Sequence, residues 1–262
     1  MSRAPKRNAV TLREYQPFLL AGAFVALWLA EAWQPHHARA ARWWQHTGTN
    51  LFLTALYMGA AGAFAAANAF AATWSEKNSF GLFQWVTVNP IVSVTIGILV
   101  LDLAAYAGHV LKHKIPILWR FHRVHHSDMD MDVTTGFRFH PVEALISWVF
   151  LLPAIVLFGV PITSILIFAG LYSLSALAQH ANFAFPEWAD RIVRIVFVSP
   201  GSHRIHHSPT RERTDSNYGT LFSFWDRIFR TYKSPRRDAE NQFGLDQKQE
   251  SLRALLIDPF RK

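Results

Sequence analysis

The sequence predicts an all-α protein, with about four or five apolar helices crossing a membrane below a histidine-rich helical cap on the cytosolic side. Three observations carry this prediction. Apolar blocks of about twenty residues recur along the chain, the length a helix needs to cross a bilayer. Loops bearing tryptophan and arginine flank those blocks, as interfacial anchors and positive-inside charges do. Nine of the 13 histidines fall in clusters at helical spacing.

Residues 1–16 are polar and basic, without the apolar core or small-residue cleavage site of a signal peptide. The first block, Pro17 to Trp33, is apolar except for Glu31. The loop over 34–50 carries Arg39, Arg42 and the Trp43-Trp44 pair, and its His36, His37 and His46 read as interfacial. A second block runs from about Leu51 to Trp74, and a third from Pro90 into His109. A fourth and fifth fill Pro141 to Gln179, divided at Gly159-Val160-Pro161. Buried helices of a soluble bundle are the competing reading, and the repeated Trp and Arg flanks argue against it.

His109 lies nineteen residues past Pro90, and His180 nineteen past Pro161. At helical rise each is carried roughly 28 Å, about one hydrocarbon thickness, so both histidines emerge at the same surface. Lys and Arg enrich 110–140 and the chain from Arg191 onward, which places both in the cytosol. Three earlier spans would then put the N-terminus outside, against Arg3, Lys6, Arg7 and Arg13. A re-entrant or interfacial first block would remove that conflict.

Three parts follow: 1–89 with the first two membrane segments, 90–235 with the histidines and the hairpin 141–180, and 236–262. In the last part Leu252, Leu255 and Leu256 share one side of a short helix, which caps the polar part or lies on the membrane. The chain has no cysteine, which excludes disulfides and thiolate metal sites. Its formal charge of +8 sits mostly beside apolar blocks and points to a membrane surface, not to nucleic acid.

The spacing H-x-x-x-H at His109 and His113 places two imidazoles on one helix face. H-x-x-H-H does the same at His122, His125 and His126, and recurs at His203, His206 and His207. With His180 these nine exceed the capacity of one metal and suit two, in an all-nitrogen ligand shell. No H-E-x-x-H pattern accompanies them, which disfavours a zinc-dependent membrane hydrolase. A non-catalytic metal-binding or pH-sensing membrane protein is the other alternative.

The runs Asp102-x-x-x-Tyr106-x-x-His109-x-x-x-His113, LWRFHRVHHS, RFHPVE, SPGSHRIHHS and NYGTLFSFWDRIF resemble the fatty acid hydroxylase/sterol desaturase superfamily over about residues 90–232. The resemblance implies an integral-membrane, non-haem enzyme holding two iron ions at the cytosolic face. Such an enzyme uses O₂, and electrons from an external cytochrome, ferredoxin or reductase, to hydroxylate or desaturate an unactivated C–H bond of a lipid. It implies as ligands His109, His113, His122, His125, His126, His203, His206 and His207, and fits His180 as a further one. Metal-bound imidazoles are usually oriented by neighbouring polar groups, for which Asp102, Asp128, His140, Asn182, Asp215 and Asn217 are the candidates. Asp215 to Asn217 also reads as a turn, and Trp225 and Asp226 as packing and a salt bridge. Arg230-Thr231 stands where the family usually has Gly-Thr. Arg204, Arg211 and Arg213 would form a basic face for the redox partner or for lipid headgroups.

Overall fold

The structure, a computed structural model, describes residues 5–39, 41–235, 242–245 and 251–261. Arg3, the side chains of Lys6, Arg7 and Arg13, and residues 236–241 and 246–250 of the C-terminal part lie outside that description. In chain order the helices are α1 (Pro5–Trp33), α2 (Trp43–Lys77), the single turn α3 (Leu82–Trp85), α4 (Pro90–Lys114) and α5 (Pro116–His126). A 3₁₀ turn (Val133–Phe137) precedes α6 (Val142–Phe158), α7 (Ile162–His180), α8 (Glu187–Val196) and α9 (Pro200–His206). Three short helices close the chain: α10 (Arg211–Thr214), α11 (Phe224–Ile228) and α12 (Leu252–Ile257). Among the described residues there is no β-strand, only two isolated bridges, Pro35 to Phe183 and Phe197 to Phe222.

Among the described residues four segments are long and apolar enough to cross a membrane: Glu14–Trp33, Trp43–Trp85, Pro90–Lys114 and Ile162–His180. The fifth apolar helix, α6, has 17 residues and pairs with α7 as a hairpin. Helix α2 differs from its apolar block. It begins at Trp43, eight residues before Leu51, so His46 and Asn50 ride its first turns into the protein.

The boundaries follow from local chemistry. Asn89 caps α4 by accepting from the Ile91 amide at 2.9 Å, with Pro90 at the first helical position. Pro116 cannot donate to the preceding turn, so α4 stops and α5 restarts at a new angle. Gly159 ends α6 in the left-handed region at φ 63°. A Cβ on Gly81 would sit 2.3 Å from the Gly159 amide nitrogen, so the turn before α3 packs directly on the α6–α7 turn.

Helix α6 packs between α2 and α4, while α7 packs on α1, α4, the 3₁₀ turn and α9. Close approach of α4 and α7 depends on Gly97, where a Cβ would lie 2.6 Å from Ser164 Oγ. At the end of the bundle away from the histidines, Ala71, Leu101, Ile155 and Phe168 form a buried apolar cluster. Outward faces stay apolar and bare, as at Phe18, Leu29, Phe70 and Ile91, which suits hydrocarbon surroundings. The cap, built from α5, α9 and the loops around them, sits over the other end. Its α12 buries Leu255 in a cluster with Leu53 of α2 and Val124 of α5.

Candidate metal centre

Four elements bring nine buried histidines together: α4 with His109 and His113, α5 with His122, His125 and His126, the last residue of α7, His180, and α9 with His203, His206 and the adjoining His207. They sort into two sets. His109, His113, His122, His126 and His206 form one, and His125, His180, His203 and His207 the other, with the candidate ligand atoms of each set within 4.8 Å of one another. Each H-x-x-H-H motif straddles both. On α5 the four-apart pair His122 and His126 joins the first set and His125 the second. On α9 the four-apart pair His203 and His207 joins the second and His206 the first.

Backbone and side-chain acceptors fix the protonation of these rings. A carbonyl or carboxylate oxygen only accepts. His109 Nδ1 therefore donates to the Tyr218 carbonyl at 2.8 Å, His206 Nδ1 to that of Ser216 at 2.8 Å, and His180 Nδ1 to that of Ala176 at 2.7 Å. His122 Nδ1 donates to Glu143 Oε1 at 3.1 Å. The Thr214 hydroxyl donates to the His206 carbonyl at 2.6 Å and lies 3.4 Å from His126 Nδ1. In His109, His122, His180 and His206 the proton at Nδ1 leaves the Nε2 lone pair free for a metal.

The Nε2 atoms of each set face one another. His206 Nε2 and His109 Nε2 lie 3.0 Å apart, and His180 Nε2 lies 3.0–3.2 Å from the Nε2 atoms of His203, His125 and His207. His122 Nε2 and His126 Nε2 are buried with no hydrogen-bond partner. The lone pairs of His109 and His206 repel at 3.0 Å unless a cation lies between them, so the donor set fits first-row transition metal ions. Burial pushes His122, His125, His126, His203, His206 and His207 below the ordinary 6.5, which keeps them in the neutral form that binds metal.

Of the residues expected to orient the imidazoles, Asp215 lies nearest to one, with Oδ1 3.4 Å from His113 Nδ1. The nearby His113 ring and the Lys114 ammonium, which donates at 2.9 Å, hold its carboxyl well below the usual carboxylate range. The other five bond to groups outside the nine rings. Asp102 accepts from Thr220 Oγ1, the Leu221 and Phe222 amides and Trp225 Nε1, so it clamps the loop whose Tyr218 carbonyl holds His109. Asp128 binds His46 Nε2 at 2.8 Å, with Asn50 and Thr135, and thereby anchors the 3₁₀ turn. Asn182 accepts from the His36 and His37 amides and ties the α1–α2 loop to the end of α7. His140 Nδ1 accepts from the Val142 amide at the entry to α6, and Nε2 donates to the Leu256 carbonyl. Asn217, at φ 52°, donates to the Ser202 and Lys233 carbonyls.

Other readings are corrected. His46 is buried and not interfacial. Arg204 is buried with Nη2 on the Phe183 carbonyl, so it presents no basic face. Asp226 accepts from the Tyr218 and Gly219 amides, a loop clamp in place of a salt bridge. Arg230, where the family usually has glycine, adopts φ 59°, which explains that preference.

Glu143 is the residue the sequence reading missed. Fully buried, it meets Lys112 Nζ at 2.8 Å as well as His122. A carboxylate in the RFHPVE run, opening an apolar block, was the available signal. Glu31 is similar: its Oε1 accepts from the amides of Val133 and Asn182, closing the first helix onto the cap.

Below the two sets lies a cavity of about 280 Å³, with His109, His122, His125, His180 and His203 at its head. Phe139, stacked on His125 at 4.3 Å, and Tyr57 line its upper wall, and Leu101, Ile155 and Phe168 its far end. Phe168 precedes His180 by twelve residues of α7, so the cavity reaches roughly 18 Å into the bundle. Its lining is predominantly apolar, as a site for a lipid chain requires.

The family model described as fatty acid hydroxylase matches residues 94–231, just over half of the chain. Over 189 residues the chain is 27% identical to an ornithine lipid hydroxylase of Rhizobium tropici, covering 72% of this chain and 55% of that protein. It is 28% identical over 176 residues to the alkylglycerol monooxygenase of Homo sapiens, with 64% and 35% covered. To the cholesterol 25-hydroxylase of Rattus norvegicus it is 29% identical over 144 residues, with 53% and 46% covered. The chain thus spans between about a third and just over half of the length of these relatives. No solved structure matches it. The match of the family model, over the segment that carries all nine histidines, shows that this chain belongs to the fatty acid hydroxylase family.

Proposed function

We propose that the chain is an O₂-dependent membrane enzyme with two iron ions, which hydroxylates an unactivated C–H bond of a lipid held in the apolar cavity. The observation that carries this reading is the position of two adjacent sets of converging imidazole nitrogens at the head of that cavity. His109, His113, His122, His126 and His206 would hold one iron, and His125, His180, His203 and His207 the other. When bound, the irons supply the activation of O₂ that such a C–H bond demands, with electrons from an external cytochrome, ferredoxin or reductase.

The chain's own residues orient and enclose. Backbone carbonyls of Tyr218, Ser216 and Ala176 aim three rings, and Glu143 aims His122 while neutralising Lys112. Phe139 and Tyr57 shield one side of the centre from water, and the apolar walls determine which carbon is presented. Hydroxylation is placed before desaturation because the similar proteins are named as hydroxylases or monooxygenases. Iron is placed before a hydrolytic zinc because neither set includes a carboxylate, and Glu143 is engaged by Lys112 and His122. The Lys and Arg beside the cap support a cytosolic side for the histidines.

The test is the mass of lipids extracted from membranes holding the wild-type chain or His203→Ala. A lipid gaining one oxygen in the wild type alone is the expected result. Loss of two hydrogens would move the reading to desaturation. No change with iron, O₂ and a reductant supplied would contradict it.

A further inference from the structure

The cavity described above is apolar, yet two polar side chains on its wall have atoms without a partner. Asn68 of α2 is only 9% exposed and lines the cavity, and its Oδ1 is buried with no hydrogen bond. Trp148 of α6 also lines it, and its indole Nε1 is likewise buried and unpaired. The Phe64 ring lies 5.3 Å from that of Trp148, and Asn68 follows Phe64 by one turn on the same face of α2. Carboxamide and indole therefore occupy neighbouring levels of one cavity. Asn68 lies in a helix long and apolar enough to cross a membrane and Trp148 in the 17-residue apolar α6, and an unpaired polar group buried in such surroundings opposes folding. An apolar residue at either position would avoid that penalty. A bound ligand with a matching polar group removes it.

Resting on the reading of this cavity as the lipid site, we propose that the substrate carries a hydroxyl or amide group on its inserted portion, with Asn68 accepting its hydrogen and Trp148 donating to its oxygen. The level of this anchor relative to the histidines follows from α2. Tyr57 packs on Phe139, which stacks on His125, and Asn68 is eleven residues further along, roughly 16 Å at helical rise. The polar anchor therefore sets the carbon presented at the head of the cavity, by a fixed distance from the anchored group. A plain hydrocarbon tail has nothing to offer these two side chains.

The experiment compares 1-dodecanol with dodecane as binding probes for the full chain in lipid nanodiscs, reading affinity from the shift of thermal unfolding with probe concentration. Wild type should bind the alcohol roughly three- to tenfold more tightly than the alkane, the value of a neutral hydrogen bond. Asn68→Leu and Trp148→Phe, the second of which keeps the ring packing on Phe64, should each bring that ratio close to one without weakening dodecane. A wild-type ratio near one, or a ratio unchanged in both variants, overturns the proposal and leaves the carboxamide and indole to packing or to an ordered water. Binding is read without turnover or metal. The result thus stands apart from the oxygenase reading: an active hydroxylase with no preference for the alcohol would sink this inference alone.

Discussion

The rings of His109, His206 and His180 are oriented by backbone carbonyls, which no side-chain substitution removes directly. Glu143 is different, because one carboxylate aims His122 and neutralises a buried lysine. Glu143→Gln keeps an acceptor for His122 but leaves Lys112 without its counter-charge, and iron affinity should fall about 10–100-fold in a metal titration. Equal affinity in the variant would mean that Glu143 serves folding alone. Arg230 provides a second test at this scale. At φ 59° a β-branched side chain is disfavoured, so Arg230→Val should cost about 1–2 kcal/mol in thermal unfolding, while Arg230→Gly should be neutral or stabilising. The histidines were legible in the sequence because their spacing is short-range. Their orienting groups were largely not, because a carbonyl has no residue signature and Glu143 reaches His122 across twenty-one positions.

At the scale of elements, helix phase does what spacing alone did not reveal. Residues three and four apart share a face, yet each H-x-x-H-H divides between two sets, because adjacent residues such as His125 and His126 point roughly 100° apart around the helix. Helix lengths were legible wherever hydropathy changed sharply, as at Asn89-Pro90 and Gly159-Val160-Pro161. The start of α2 was not, because its first turns carry polar residues, His46 and Asn50, whose partners Asp128 and Thr134 come from the cap. Contact between elements relies on small residues. Gly97→Leu should force α4 from α7 at Ser164 and cost about 1–3 kcal/mol, whereas Gly22→Ala, with nothing within 4 Å, should be near neutral. Unfolding midpoints of the two variants in one detergent check the contrast.

For the whole molecule, apolar helices and a buried imidazole cluster make opposite demands on solvent, and the cavity joins them. The cluster also makes stability depend on pH. Burial lowers the six cap histidines from the ordinary 6.5, so below that pH the unfolded chain takes up protons that the folded chain does not. Metal-free protein should therefore hold its unfolding midpoint from pH 8 to about 7 and lose several degrees by about pH 5.5, with metal binding weakening over the same window. A midpoint indifferent to pH across that range would contradict the neutral, buried cluster.

The most direct test of the two-set centre is iron content per chain, measured by elemental analysis on purified wild type, His125→Ala and His206→Ala. These substitutions remove a ligand from different sets. Wild type should hold about two irons per chain, and each variant should lose about one of them. A single iron in the wild type, or none after iron loading, would contradict the two-set centre.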